Sequence, residues 1–222
     1  MKRVKYSAYI LLSIILVLSV IGCSSKEEKV RISVEQDYNK AIDLAKKEDY
    51  EQAKELLQKC INQLPKEGKY NFALGNIYRN TQEHIKAEGS YLAAIEKSPQ
   101  LKEAYNNLAG TYMLQGKYDD ASKILDDGLE RFPNFSELIF KKAQLIFFEK
   151  QYNKTIELMS RVIDQPNYVE GYRFIGLSYL NLGDSVKGLE NLKIYLEKTP
   201  DTSAGKKEIE ELVKQLEKEV SQ

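Results

Sequence analysis

The sequence of 222 residues contains no Trp, a single His and two Cys, and its 33 basic residues are balanced by 33 acidic ones. A zero net charge argues against a nucleic-acid-binding protein, which usually carries a basic excess. Two Cys cannot build a disulfide-dense scaffold or a Cys-rich zinc site. One His excludes metal sites built on His pairs and leaves little for proton transfer. With only five Pro and twelve Gly, the chain favours helices over many short strands. This is not the composition of an obvious enzyme.

The amino terminus has the parts of a secretory signal. Lys2, Arg3 and Lys5 precede an apolar run over residues 6–21, and the run stops at Val20-Ile21-Gly22-Cys23. The run has about 16 residues, whereas a helix needs about 20 to span a bilayer.

Val20-Ile21-Gly22-Cys23 resembles the lipobox of bacterial lipoproteins. The resemblance implies that residues 1–22 are removed and that Cys23 becomes the first residue, diacylated with chains such as palmitate and fixed to the membrane. An uncleaved signal-anchor helix and ordinary secretion are the alternatives. Ser24 after Cys23 favours the periplasmic face of an outer membrane, or otherwise the outer face of a cytoplasmic membrane. We expect residues 23–33 to comprise the lipidated Cys and a flexible polar tether, whose ten residues, 24–33, reach about 33–36 Å when extended.

Four series of residues recur every 33 or 34 positions through the rest of the chain. The series are the prolines, two sets of small residues and one set of large apolar residues. Their members are Pro65, Pro99, Pro133, Pro166 and Pro200; Ala41, Gly75, Ala109, Ala143 and Gly176; Ala53, Ala87, Ala121, Thr155 and Gly188; and Leu44, Tyr78, Tyr112, Ile146 and Tyr179. The one-residue slip falls between Thr155 and Pro166, where it predicts a shortened loop.

This pattern resembles the 34-residue tetratricopeptide repeat (TPR), a helix–turn–helix unit. The third unit matches best, with Tyr105 in the place of the usual Trp, whereas Lys40 and Lys142 stand where Leu is usual. The resemblance implies an all-α, right-handed TPR superhelix of antiparallel helix pairs over residues 34–202. Its five repeats are 34–67, 68–101, 102–135, 136–168 and 169–202.

The chemistry of the recurring residues fits this fold. Small residues let paired helices approach closely, and Gly116 and Gly183 fall at turns where a left-handed backbone suits glycine. Each Pro is expected to end a second helix. Residues 203–222 carry an apolar stripe at helical spacing and are predicted to form a capping helix, with a dimerising helix as the alternative. The stripe consists of Ile209, Leu212, Val213, Leu216 and Val220.

Few residues are candidates for catalysis, and we expect no enzymatic activity, no cofactor and no metal. His84 is interpreted as a packing or surface residue. The acidic pairs Asp119-Asp120 and Asp126-Asp127 are interpreted as solvated helix faces. Cys60 falls at a small-residue packing position and is expected to be a buried, inert thiol.

Binding to a partner is the favoured role. In TPR proteins the first helices of the repeats line a concave groove, and the resemblance implies an inner face rich in aromatic, Arg and Asn side chains. Such side chains anchor interfaces or bond peptide backbones, although the aromatic ones can instead pack helix on helix. The groove residues are Tyr38, Phe72, Asn76, Arg79, Asn106, Asn107, Phe140, Lys141, Gln144, Phe147 and Arg173.

Some co-chaperone TPR domains grip a terminal carboxylate with a Lys, two Asn and two further basic residues. Asn76, Asn107 and Lys141 match three of those places, but Phe72 and Glu137 occupy the others, and Glu137 would repel a carboxylate. We therefore do not expect that ligand. Phe140 and Phe147 make an apolar segment of a partner the better expectation.

Together these features predict a lipid-anchored, non-enzymatic scaffold or adaptor in a bacterial cell envelope. Similar lipoproteins serve pilus or secretion complexes, outer-membrane assembly or cell-wall hydrolases. Other envelope proteins or peptides are the expected partners, with the membrane held through Cys23, and a monomer is favoured. The alternatives are a groove-based receptor for a small molecule or free peptide, and an enzyme with unrecognised chemistry.

Overall fold

The computed structural model describes residues 26–203 and 205–220, and within them it contains helices and no β-strand. The predicted signal peptide and Cys23 lie outside the described residues. None of the described helices is both long and apolar enough to cross a membrane. The helices are α1 (26–46), α2 (Tyr50–Gln63), α3 (Gly68–Asn80), α4 (His84–Lys97), α5 (Lys102–Leu114), α6 (Tyr118–Arg131), α7 (Ser136–Phe148), α8 (Tyr152–Ser160), α9 (Glu170–Asn181), α10 (Ser185–Lys198) and α11 (Lys206–Val220), with a 3-10 helix at Pro166–Tyr168.

The chain divides into two compact units between residues 99 and 100. In unit 1, α2 packs on α3 and α3 on α4, and Ala41 of α1 joins the core with Leu57 and Leu74. In unit 2, each helix from α5 to α11 packs on the next, and α7 also contacts both α5 and α9. Each unit is thus a row of antiparallel helix pairs, as the period predicts.

The predicted small residues are buried. In unit 1 an added Cβ at Gly75 of α3 would lie 2.7 Å from the ring of Tyr91 on α4, closer than non-bonded atoms allow. The helices of this pair therefore touch at a spacing that a larger residue would force open. The Ala and Thr members with no exposed surface are Ala41, Ala53, Ala87, Ala109, Ala121, Ala143 and Thr155.

The same turn joins the two helices of every pair. The carbonyl oxygen of each large apolar residue of the period accepts a bond from the amide five positions later, as Tyr112 does from Lys117 at 2.9 Å. The residue before that amide is left-handed each time, and together these features define a Schellman motif. Gly116 and Gly183 fill this position as predicted. The left-handed residues are Glu48 (φ 63°), Gln82 (φ 61°), Gly116 (φ 73°), Lys150 (φ 62°) and Gly183 (φ 83°).

Residues 26–33, which we expected to belong to a flexible tether, are helical and continue α1. The chain has no Pro or Gly between Cys23 and Pro65, so nothing in this stretch breaks a helix. Glu27 and Arg31 also have the i,i+4 spacing that supports one. The fully buried Val34 fixes the next turn in the core.

The slip in the fourth repeat shortens a helix instead of a loop. The helix α8 has 9 residues, whereas α2, α4, α6 and α10 each have 14. Pro166 begins the 3-10 helix, while the other four prolines follow the end of a second helix as expected. The irregular segment between α8 and α9 is fixed to the core because Val162 and Tyr168 are buried against Met159 and Phe174.

Lys142, the residue at an expected Leu position, is buried in unit 2. Its Nζ donates to Ser122 Oγ at 2.8 Å and lies 2.8 and 3.0 Å from the two carboxylate oxygens of Asp126. Asp126 was interpreted as part of a solvated face; its side chain is 63% exposed, but its carboxylate also joins α6 to α7.

The last helix, α11, packs on α10 as a cap is expected to do. Ile209, Val213 and Leu216 form a core with Leu192 and Tyr195 of α10. The buried Lys206 fixes the connection between the helices. Its Nζ donates to Thr199 O at 2.6 Å and to Asp201 Oδ1 at 2.7 Å, and this bond lowers the pKa of the Asp201 carboxyl.

Replacing Gly116 with Ala is expected to destabilise the fold by about 1–2 kcal/mol, because an L-residue is strained in the left-handed conformation. An added Cβ there meets no atom within 4 Å, so the loss reports backbone strain alone. Gly89 in α4 provides the matched control, since its Cβ would also meet nothing and Ala is favoured over Gly in a helix by about 0.5–1 kcal/mol. Urea midpoints should move in opposite directions for Gly116→Ala and Gly89→Ala; a shift in the same direction would contradict this account.

Asp126→Ala is expected to destabilise the fold by about 1–3 kcal/mol, because it leaves the buried Lys142 ammonium with only a hydroxyl partner. Lys142→Leu should be neutral or stabilising, and the double variant should recover the stability that Asp126→Ala loses. A double-mutant cycle from urea denaturation measures the coupling. Additive losses would show that the pair does not act as one unit.

Candidate functional site

All eleven predicted groove residues lie on the first helices of the repeats and are partly exposed. Four form the unit 1 surface, on α1 and α3, and seven form the unit 2 surface, on α5, α7 and α9. Their role in binding stays a prediction. The unit 1 surface consists of Tyr38, Phe72, Asn76 and Arg79; the unit 2 surface consists of Asn106, Asn107, Phe140, Lys141, Gln144, Phe147 and Arg173.

On the unit 1 surface, Phe72 and Asn76 are both held by Tyr91 of α4. The rings of Phe72 and Tyr91 lie 6.0 Å apart. The Tyr91 hydroxyl donates to Asn76 Oδ1 at 2.8 Å. This oxygen was expected to bond a peptide backbone, but it is already engaged within the helix pair. Tyr91 therefore fixes the direction of the Asn76 amide.

At the Tyr38 end of this surface, an ion pair between Lys69 and Glu35 lies beside two tyrosine rings. Lys69 Nζ lies 2.6 Å from Glu35 Oε2 and 5.1 and 5.2 Å from the ring centroids of Tyr38 and Tyr70. The two rings meet edge to face at 5.4 Å. Burial raises the pKa of the Tyr38 hydroxyl above its ordinary value.

The apolar part of the unit 2 surface is an aromatic cluster between α7 and α9. Phe140 and Phe147 flank Phe174, with ring centroids 6.3 and 5.1 Å from it. Phe140 also lies 5.2 Å from Tyr168. Both predicted anchors therefore pack helix on helix while keeping part of their surface exposed. Neighbouring Phe148 is 70% exposed and lies 5.7 Å from Phe147.

The polar part of this surface lies on α5 and α7. Asn106 Nδ2 donates to Asn107 Oδ1 at 3.4 Å, while the buried Asn106 Oδ1 accepts no bond from the described residues. The side chain of Lys141 packs over Gly110 of α5: a Cβ added to Gly110 would lie 3.6 Å from Lys141 Nζ. An unsatisfied buried acceptor is costly, but this oxygen is covered, so a partner can reach it only if the Asn106 side chain turns outward.

Arg173 is fixed by its own helix. Its Nε lies 2.7 Å from Glu170 Oε2, and its guanidinium lies 4.8 Å from the centre of the Phe174 ring. Glu170 Oε1 accepts a bond from the Tyr195 hydroxyl at 2.9 Å. One carboxylate thus ties Arg173 to α10, which sequence reasoning missed because Glu170 and Tyr195 are 25 positions apart.

The remaining candidates have the positions expected of them. Cys60 is fully buried, its Sγ donates to Val34 O at 3.5 Å, and burial raises the pKa of its thiol. This confirms the predicted buried thiol. His84 begins α4 and is partly exposed, and Asp119 and Asp120 are exposed. No group of three or more His, Cys, Asp or Glu residues suited to a metal ion occurs in the described part of the chain.

Two family models of the tetratricopeptide repeat match the chain, one over residues 38–102 and one over residues 86–145. Hsp70-Hsp90 organizing protein 2 of Arabidopsis thaliana is 26% identical over 160 residues, which cover 68% of this chain and 28% of that protein. The chain spans less than a third of the length of the curated relatives it matches.

Two solved structures extend the comparison. The structure of pilF from Pseudomonas aeruginosa matches this chain with a TM-score of 0.68 at 15% identity. The matched region covers 78% of this chain and 79% of the pilF chain. YrrB, described as a TPR protein with an unusual peptide-binding site, matches with a TM-score of 0.63 at 17% identity. The matched region covers 75% of this chain and 86% of the YrrB chain. At these identities the likeness concerns the fold, and it confirms the expected all-α TPR fold.

Proposed function

We propose that this chain, which carries TPR repeats and has the fold of a protein-interaction scaffold, is a non-enzymatic, lipid-anchored adaptor of a bacterial cell envelope. Its TPR helices bind segments of partner proteins or peptides, and acyl chains on Cys23 hold it at the membrane. TPR repeat proteins are in general non-enzymatic interaction modules, which supports the class of function.

The unit 2 surface carries the binding part of the proposal. It combines the partly exposed amide side chains of Asn106 and Asn107 with partly exposed rings at Phe140 and Phe147. An extended peptide offers a backbone N–H for the first and an apolar side chain for the others. Lys141 adds a positive charge beside them, whereas the charge of Arg173 is paired with that of Glu170, so the surface favours a mainly apolar segment.

The relatives support the same chemistry. Hsp70-Hsp90 organizing protein 2 is similar to this chain in sequence, and the TPR protein YrrB, with its peptide-binding site, is similar to it in fold. Both suit a scaffold that holds other polypeptides. The proposed location in the envelope is supported by the lipobox-like Val20-Ile21-Gly22-Cys23, which follows an apolar run.

Cys23→Ala is expected to abolish labelling of the protein by an alkyne fatty acid in bacterial cells, because the Cys23 thiol is the proposed acceptor. Cys60→Ala is the matched control and should label like the wild type, since Cys60 is buried in the folded chain. In-gel fluorescence after click coupling, with an intact mass, measures the outcome. Equal labelling of the wild type and Cys23→Ala would overturn the proposed anchor.

Lys141→Glu is expected to lower the amount of crosslinked partner captured from cells by about tenfold or more, because reversing a charge inside an interface costs at least about 1.4 kcal/mol. The control, Lys123→Glu, makes the same charge change on α6, where the side chain is 78% exposed. Both variants should first show unchanged thermal unfolding.

Quantitative mass spectrometry of the captured proteins tests this prediction. A partner lost from Lys141→Glu and kept by Lys123→Glu supports the unit 2 surface. A partner kept by both variants would exclude this surface. The absence of any partner would overturn the adaptor and favour a receptor for a small molecule.

A further inference from the structure

The first turns of α1 extend beyond the repeat core at one edge of unit 1. Residues 26–33 are all exposed, and burial begins at Val34. Val30 and Ile32 have 36% and 54% of their surface exposed. A cleft of about 500 Å³ opens beside Val30 and Arg31, against Gln63 and Leu64 at the end of α2. We refer to residues 26–33 as the proximal segment.

The proximal segment begins three positions after the proposed lipid attachment site. Three residues span at most about 10–11 Å, whatever conformation they adopt. The polar headgroup region of each leaflet is about 5–8 Å thick. An acylated Cys23 with its chains in the bilayer therefore keeps Lys26 within about 6 Å of the outer edge of the headgroups.

We propose that the proximal segment rests on the lipid headgroups and holds unit 1 directly against the bilayer. This inference depends on the proposed acylation of Cys23. A flexible ten-residue tether would let the domain move up to about 33–36 Å from the bilayer. In the proposed arrangement, a short helical connection, called the mount below, takes its place. The partner surface recognised by residues 26–33 is therefore a lipid surface.

The side chains of the proximal segment suit a surface that is partly polar and partly apolar. Lys26, Lys29 and Arg31 are offset by Glu27 and Glu28, so charge alone does not drive the contact. Ile32 supplies apolar surface beside Lys29, one turn earlier on the same side of the helix, whereas Val30 lies on the opposite side, over the cleft at Leu64. The long basic side chains can reach phosphates while their stems lie on the acyl boundary. Contact is imposed by the covalent anchor, and high salt should leave it in place.

In this arrangement α1 is inclined, with the side of its first two turns that carries Lys29 and Ile32 on the headgroups and its far end raised. The helix order of unit 1 then sets the opposite edge away from the membrane. The helix α1 has 21 residues and is about 30 Å long. The turns after α1 and α3 lie at the end remote from residue 26, because successive helices are antiparallel. Ile85, 82% exposed at the start of α4, lies at that remote end.

The test uses the absence of Trp from the chain. Ile32→Trp and Ile85→Trp each introduce one reporter at an exposed site. Each protein is produced with its lipid in bacterial cells, confirmed as acylated by intact mass, and reconstituted into vesicles of phosphatidylcholine brominated near the top of its acyl chains. The Ile32→Trp reporter should lose most of its emission, and the Ile85→Trp reporter should keep its emission, at low and high salt alike.

A third protein carries a flexible Gly/Ser insertion of about ten residues between Ser25 and Lys26, together with Ile32→Trp. The insertion adds about 16–19 Å of average reach and should restore the emission. Unquenched emission of Ile32→Trp in an acylated protein would overturn the proposed mount while leaving the anchor intact. Equal quenching of both reporters would also overturn it, since the unit would then have no fixed orientation. An unmodified mass would overturn the anchor and this inference with it.

Discussion

Close contact between the two helices of a pair is the constraint on which the rest of this structure depends. The positions where paired helices touch are Ala, Gly or Thr, and at Gly75 even a methyl group would collide with Tyr91. Helices at this spacing bury one another, but the apolar faces of a single pair remain uncovered, so the next pair must stack on them. The left-handed turn follows from the same constraint, because it reverses the chain within three residues and satisfies the last carbonyls of the first helix.

This constraint also decides which side chains a partner can meet. The core face of each first helix is used by the small and large apolar residues of the period. The residues between them stay partly exposed, and all eleven predicted groove positions are of this kind. Several are nonetheless fixed from behind: Tyr91 holds Asn76, Glu170 holds Arg173, and Phe174 holds both Phe140 and Phe147. Side chains fixed before binding lose less entropy when a partner arrives, which favours recognition by a rigid scaffold.

The fold could be predicted from the sequence because its signal is repeated five times, and any one unit could be weak. Gly116 and Gly183 marked two turns, and the other three were found by position alone, since Glu48, Gln82 and Lys150 give no local sign of a left-handed backbone. Features that depend on one contact could not be predicted. Lys142 is buried only because Asp126 and Ser122 of the preceding helix reach it, and Asn76 is engaged only because Tyr91 is present. The polar composition of residues 26–33 suggested a tether, but charged residues without Pro or Gly equally suit a helix, and the core contact of Val34 decided for the helix.

The helical proximal segment has a consequence for the proposed adaptor. Tyr38 of the unit 1 surface lies on the same helix as residue 26, twelve residues or about 18 Å further along. In the proposed arrangement, α1 is therefore both the mount and part of a binding surface, and a partner held there has a set height above the bilayer. A flexible tether would leave that height and orientation undefined, and it would dilute a bound partner over the volume the tether sweeps. A rigid mount instead restricts the scaffold to partners that present their segments close to the membrane, so that selection by geometry adds to selection by side-chain chemistry.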